Sequence, residues 1–189
     1  MEKNDEIRAF IAVEINNPAI VHKAREIQSL FSDNAMGKLK FVELENMHCT
    51  LKFLGNIEIS AAKKIYKIIQ GLGTIPAGGF DVTLRRVGQF GGRVLWVGID
   101  DPAGIIAKSA DRIDEELSKQ LDIPREKRPF EGHMTLARVK FLNNKKLFQD
   151  KVAQLESVEL GKQHVEAVLL KQSRLTPKGP IYTTLKYEK

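Results

Sequence analysis

The chain has 189 residues, 42% of them hydrophobic and 29% charged, which is an ordinary globular composition. No apolar run approaches the ~20 residues of a bilayer span, and the single cysteine, Cys49, excludes an internal disulfide. The net charge of +6 suits a phosphate or nucleic-acid partner, although charge alone does not separate such a surface from a merely solvated one.

In chain order, Arg8 to Ile15 is an apolar run of strand length. Asn16 or Asn17 can cap a helix opened by Pro18, with Ile20, Val21, Ala24, Ile27, Leu30 and Phe31 at helical spacing. Asp33-Asn34 and Gly37 end it, and Leu39 to Glu43 forms a short strand. Met47 to Leu54 is the next strand, closed by Gly55-Asn56. Ser60 caps a second helix with an Ala61, Ile65, Ile68 and Ile69 stripe. Gly71 to Gly73 and Pro76 to Gly79 form a loop. Phe80 to Val87 and Val94 to Ile99 read as a hairpin turning at Phe90-Gly91-Gly92-Arg93. Pro102 opens a third helix with Ile105, Ile106, Ile113, Leu117 and Leu121 as apolar positions. Ile123 to Phe130 is a basic loop leading into a strand from His133 to Phe141. Asn143 or Asn144 caps a short helix through Leu155. Val158 to Leu170 and Ile181 to Tyr187 are the last strands, around a Pro177-Lys178-Gly179-Pro180 turn.

One tetrapeptide occurs twice. His48-Cys49-Thr50-Leu51 returns 85 residues later as His133-Met134-Thr135-Leu136, in a chain with four histidines. In a strand, residues i and i+2 share a face, so each copy sets an imidazole beside a hydroxyl. Cys49, Leu51, Met134 and Leu136 then face a core. A strand, a Pro-led helix and a His-x-Thr-Leu strand recur in that order. An 85-residue shift lays Ile11 on Trp96 and brings the Pro18 helix within one residue of the Pro102 helix. We expect an α+β fold of two pseudo-twofold lobes, each with an antiparallel sheet and helices on one side, in one bilobal domain over residues 1–189.

Two facing imidazoles suit in-line phosphodiester chemistry. One takes a proton on the entry side of phosphorus and the other gives one on the exit side. The threonine hydroxyls can donate to the non-bridging oxygens. A satisfied core histidine is the bland reading of either motif alone, but duplication with Thr at i+2 makes it a poor account of both. Metal binding would need His22 or His164 to join His48 and His133, and neither has matching context. No metal and no cofactor is expected.

These motifs resemble the RNA 2′,3′-cyclic phosphodiesterases of the two-histidine (2H) phosphoesterase superfamily, also called 2′-5′ RNA ligases or LigT-like proteins. The resemblance covers nearly the whole chain. It rests on Arg8-Ala-Phe-Ile-Ala-Val13, Met47-His-Cys-Thr-Leu-Lys-Phe-Leu-Gly55, Val94-Leu-Trp-Val-Gly98, Arg128-Pro-Phe-Glu-Gly-His-Met-Thr-Leu-Ala-Arg138 and Ser173-Arg-Leu-Thr-Pro-Lys-Gly-Pro-Ile-Tyr182. It implies a bilobal fold with the motifs facing across a groove. It also implies cofactor-free hydrolysis of an RNA or nucleoside 2′,3′-cyclic phosphate to a 2′-phosphate, with reverse 2′-5′ ligation in vitro. His48 carries over as proton donor and His133 as proton acceptor, with Thr50, Thr135 and Arg138 as phosphate contacts. Gly132 departs from the family, which more often has Pro there. Strict alternation puts Arg138 on the face opposite His133, so its role requires a bulge or the strand's end. Arg125, Lys127 and Arg128 are candidates for steering RNA, and Tyr182 is a candidate groove residue. Trp96 and Phe130 read as core. The expected partner is RNA or nucleotides with cyclic-phosphate ends, and no membrane. The expected setting is a cytoplasmic monomer, consistent with an N-terminus that lacks the apolar stretch of a signal peptide. The rival reading is a non-catalytic RNA-end-binding module using the same basic cleft.

Overall fold

The computed structural model describes residues 6–177 and 179–187. Its strands are β1 Glu6–Glu14, β2 Gly37–Phe41, β3 His48–Glu58, β4 Phe80–Phe90, β5 Val94–Asp100, β6 His133–Leu142, β7 Glu159–Val165, β8 Leu169–Thr176 and β9 Gly179–Thr184. Its α-helices are α1 Pro18–Leu30, α2 Ile59–Leu72, α3 Ile105–Leu121 and α4 Lys145–Gln154. The fold is α+β, with an antiparallel sheet ordered β7-β4-β5-β6-β3-β1-β8-β9 and β2 paired to β6.

Local signals set several boundaries. Asn17 caps α1 by accepting from the Ala19 N–H at 3.0 Å, with Pro18 in the first turn. Asn144 caps α4 through the Leu147 N–H at 2.9 Å. Other expectations fail where pairing overrides them. Gly55-Asn56 does not close β3, which runs on against β1 to the Glu6↔Glu58 pair. Gly55 has φ +70° beside a register shift, so it makes a bulge within the strand. Ser60 lies inside α2, whose N-cap is Glu58, and Ala62 rather than Ala61 joins Ile65 and Ile69 in the core. Pro102 sits in a turn before α3, which begins at Ile105. Val158 to Leu170 is two strands, because the chain reverses between Val165 and Leu169 to leave β4 and join β1. β9 starts at Gly179, and Lys178 of the expected turn lies outside the described residues.

The strand order is symmetric about β3 and β6. Outward from β3 run β1, β8 and β9; outward from β6 run β5, β4 and β7. β3 and β6 meet through the single pair Cys49↔Met134. The repeat holds with one slip. Glu14 pairs with His48 as Gly98 pairs with His133, so the opening strands are offset by 84 residues and the motifs by 85. Ala12, not Ile11, therefore matches Trp96; a slip of one residue changes the face. Each half also draws on distant chain. β8 and β9 return from the C-terminal end to flank β1, while α1 packs on β6 and β7 and α3 packs on β3. The helix that follows each opening strand thus covers the opposite half, contrary to the expectation of self-contained lobes.

Candidate active site

His48 and His133 each open a strand, and the same local device fixes both rings. His48 Nδ1 donates to the carbonyl of Asn46 at 2.6 Å, and His133 Nδ1 donates to the carbonyl of Glu131 at 2.7 Å. A carbonyl only accepts, so Nδ1 carries the hydrogen in both rings and Nε2 is left to take or give a proton. Asn46 is itself tied down, its side-chain amide donating to the Pro180 carbonyl at 3.0 Å. His48 Nε2 lies 3.1 Å from Thr50 Oγ1.

Cys49 and Met134 are paired and fully buried. One residue further along this antiparallel register, His48 comes opposite Thr135 and Thr50 opposite His133. Opposed Cα atoms are about 4.5–5.5 Å apart in such a ladder. All four motif side chains are half-buried on the face away from the core. The Cys49 thiol is pushed up to about 12 by burial, against a bond from the His133 backbone, so it supplies no thiolate nucleophile at neutral pH.

The bulge that Arg138 requires is present, and it too occurs twice. Trp96 pairs with Thr135 and Leu95 with Ala137, leaving Leu136 as the extra residue. Ala12 pairs with Thr50 and Ile11 with Lys52, leaving Leu51 as its counterpart. Leu136 and Ala137 are buried in succession, as are Leu51 and Lys52. The alternation is reset, and Arg138 and Phe53 emerge on the histidine face. Arg138 is exposed, and its charge reaches His48 and Tyr182. The His48 imidazolium is disfavoured chiefly by burial. The Asn46 carbonyl opposes this, and the charges of Lys171, His133 and Arg138 reinforce it, so the ring titrates below its ordinary value.

Aromatic rings frame both histidines. Phe10 and Tyr182 lie 4.9 and 5.3 Å from the His48 ring, the latter edge-on. Phe90 meets His133 edge-on at 5.0 Å, and Trp96 lies 6.4 Å from it. Tyr182 is thus brought to the site as expected. Trp96 is a correction. It is half-buried on the histidine face, seated over Gly88 where a Cβ would collide with the indole, and its buried Nε1 has no partner. Phe130 packs on the core as read. Arg125, Lys127 and Arg128 are all exposed, and Arg125 is ion-paired with Asp111 at 2.7 Å and Asp114 at 3.4 Å.

The sequence reading missed Phe10, Phe90 and Lys171. Lys171 is buried, forms an ion pair with Glu14, and faces His48 electrostatically. Two apolar rings inside strand-like runs look like core until their face is known. His22 pairs with Glu26 on an exposed helix face, and His164 bonds Asp81 and the Gly78 carbonyl. Among the described residues, no three His, Cys, Asp or Glu side chains gather as a metal site.

Twinned strands that present two clamped histidines on one face of the sheet are the layout of a two-histidine phosphoesterase. A model of the AKAP7 2′5′ RNA ligase-like domain matches residues 9–187. The RNA 2′,3′-cyclic phosphodiesterase of Methanothermobacter thermautotrophicus is 32% identical over 191 residues, covering 95% of this chain and 96% of that protein. Among solved structures, TT0787 of Thermus thermophilus superposes with TM-score 0.77 at 26% identity, over 95% of this chain and 96% of that one. Escherichia coli LigT, crystallised with NADP+, gives TM-score 0.70 at 25% identity over 96% of each chain. The chain belongs to the 2′-5′ RNA ligase-like family of two-histidine phosphoesterases.

Proposed function

We propose that this chain is an RNA 2′,3′-cyclic phosphodiesterase that opens an RNA or nucleoside cyclic phosphate to a 2′-phosphomonoester. In this reading His133 Nε2 takes a proton from water as the water oxygen bonds to phosphorus. The P–O3′ bond breaks in line, and His48 Nε2 gives its proton to O3′. Thr50 and Thr135 donate to the non-bridging oxygens, and Arg138 neutralises their charge. No step calls on a metal or a cofactor. A ribose 5′-hydroxyl in place of water would yield a 2′-5′ linkage, which is the ligation expected in vitro. The domain acts as one bilobal unit over residues 1–189, as a cytoplasmic monomer. The single-domain reading is supported by one core cluster that includes residues of both halves. No helix among the described residues is long and apolar enough to cross a membrane.

The observation that carries the reading is the duplicated Nδ1-to-carbonyl bond, which holds both rings in the tautomer that acid–base catalysis at Nε2 needs. It also weighs against an idle RNA-end-binding module, which has no use for a set tautomer. The curated relatives that match nearly the full chain bear the name of the proposed activity.

The test is to incubate a dinucleotide with a 2′,3′-cyclic phosphate end, with and without thorough chelation. Monoester should form at the same rate in both. His48→Ala and His133→Ala should each lose most turnover, and the double variant should be little worse than either single. No monoester from the parent would favour the binding module. Loss on chelation with rescue by one added metal would revive a metal mechanism.

A further inference from the structure

Beyond Thr135, β6 becomes a line of cations on the histidine face. Arg138 is paired in register with Lys40 of β2 and with Val94 of β5, and paired residues point to the same side of a sheet. Their neighbours Leu39, Phe41 and Val139 pack on the core, which confirms the side. Lys38 pairs with Phe141, and a register shift between Lys38 and Leu39 leaves Lys140 out of the ladder. Arg93, in the β4–β5 turn, lies beside this edge, its carbonyl accepting from the Val139 N–H at 2.9 Å. All five cations are exposed. Neither β2 nor β6 contains an Asp or Glu, and among the described residues none of the five cations has an ion-pair partner. Phe141 stands among them, 53% exposed.

Unpaired cations on a folded surface repel one another, and an apolar ring in water gains nothing. Both become favourable against a single-stranded polyanion with bases to stack. At about 3.3 Å per residue, Arg138 to Phe141 spans about 10 Å. The strip is continuous with the motif strand, so a chain lying along it delivers its end to the histidines. We propose that Lys38, Lys40, Lys140 and Phe141 form a track for the single-stranded RNA that precedes the cyclic-phosphate end. The enzyme is thereby selective for RNA ends over free cyclic nucleotides. This rests on the phosphodiesterase reading above, which it extends from the reacting phosphate to the polymer attached to it.

The experiment compares cytidine 2′,3′-cyclic monophosphate with a short single-stranded RNA bearing the same end. The variants are Lys38→Ser/Lys40→Ser/Lys140→Ser and, separately, Phe141→Ser, each checked for a parental melting curve. The triple variant should keep the mononucleotide kcat/KM and lose roughly tenfold or more on RNA, chiefly in KM. Its log–log salt slope on RNA should fall by about 2, at ~0.7 for each single-strand phosphate that a lysine no longer neutralises. Phe141→Ser should also lose RNA turnover alone, with the salt slope unchanged. Equal losses on both substrates, or none on RNA, would overturn the track. Should the parent turn over neither substrate, the phosphodiesterase reading fails instead. Fluorescence anisotropy with labelled RNA then tests the track alone: parental protein should bind more tightly than the triple variant, and equal binding would overturn it.

Discussion

A carbonyl two residues upstream decides which nitrogen of each histidine is left free to exchange a proton, and at His48 the charges around the ring bear on how readily it takes one. For His48 these charges are lopsided. Burial depresses its proton affinity first, the Asn46 carbonyl pulls the other way, and Lys171, His133 and Arg138 push it lower again. The proposed proton donor is thus held below its ordinary proton affinity in the free protein. A phosphate seated between these cations would offset their charge and raise that affinity. Lys171→Met should raise the His48 pKa. It removes a nearby positive charge and frees the Glu14 carboxylate, which lies opposite His48 in the β1–β3 ladder, and both changes favour the imidazolium. An NMR titration of the His48 ring measures this directly, and the limb of the kcat/KM profile assigned to His48 should move to higher pH with it. An unchanged or lower value would mean that the Lys171 charge is not felt at the ring.

At the scale of elements, the bulge at Leu51 does more than return Phe53 to the histidine face. It turns Lys52 into the core, where the residue is 3% exposed. Lys52 Nζ donates to Asp114 of α3 and to the Pro124 carbonyl at 2.9 Å. The other Asp114 oxygen accepts from the Glu126 N–H at 3.0 Å and from Arg125 Nε at 3.4 Å. The strand of the first motif is thereby tied to the loop that leads into the second. Burial pushes the Asp114 carboxyl up, but Lys52, the Glu126 N–H and Arg125 outweigh it and hold it below its ordinary value. Its stabilising contribution is present above the unfolded carboxylate range and is lost as pH falls and the group protonates. Lys52→Met should lower the unfolding free energy by at most about 3–5 kcal/mol, since it takes one cation from the buried Asp114 carboxylate while Arg125 and the Glu126 N–H remain, and Lys52→Met/Asp114→Leu should recover part of that. Urea denaturation decides it; a double variant less stable than the single would refute the pairing. This node was not legible in the sequence, because a lysine within an apolar run reads as surface until the bulge is known. The helix starts at Asn17 and Asn144 were legible, since a cap is settled within three residues. The His-x-Thr pairs were legible because their spacing is a property of any strand. The end of β3, the split between β7 and β8, and the exchange of α1 and α3 between halves depend on which distant strand is the partner, and Gly55 or Val165 carries no mark of that.

The whole molecule is built as a near-twofold object, and a twofold site alone could not fix which side of phosphorus is entry and which is exit. The fixed sense has to come from where the halves differ. The sharpest difference lies just past the twin bulges, where one half presents Arg138 and the other presents Phe53, 59% exposed. The two occupy matching places, paired with Val94 and Phe10 respectively. In the reaction proposed above, the guanidinium on the His133 half would draw the non-bridging oxygens toward it, and the Phe53 half would offer a ring to the nucleoside. With His133 activating water and His48 protonating the departing O3′, the product should be predominantly the 2′-phosphate. Arg138→Ala should lower kcat/KM by about one to two decades, the loss of one charge-assisted contact of about 1.5–3 kcal/mol. The measurement is digestion of a 2′,3′-cyclic phosphate followed by chromatographic separation of the two monoester isomers. A product that is mainly 3′-phosphate would reverse the acid and base assignments or the seating of the ribose. An Arg138→Ala protein that hydrolyses as well as its parent would remove the arginine from the argument, and the polarity of the site would then have to come from Lys171, the buried cation that faces His48.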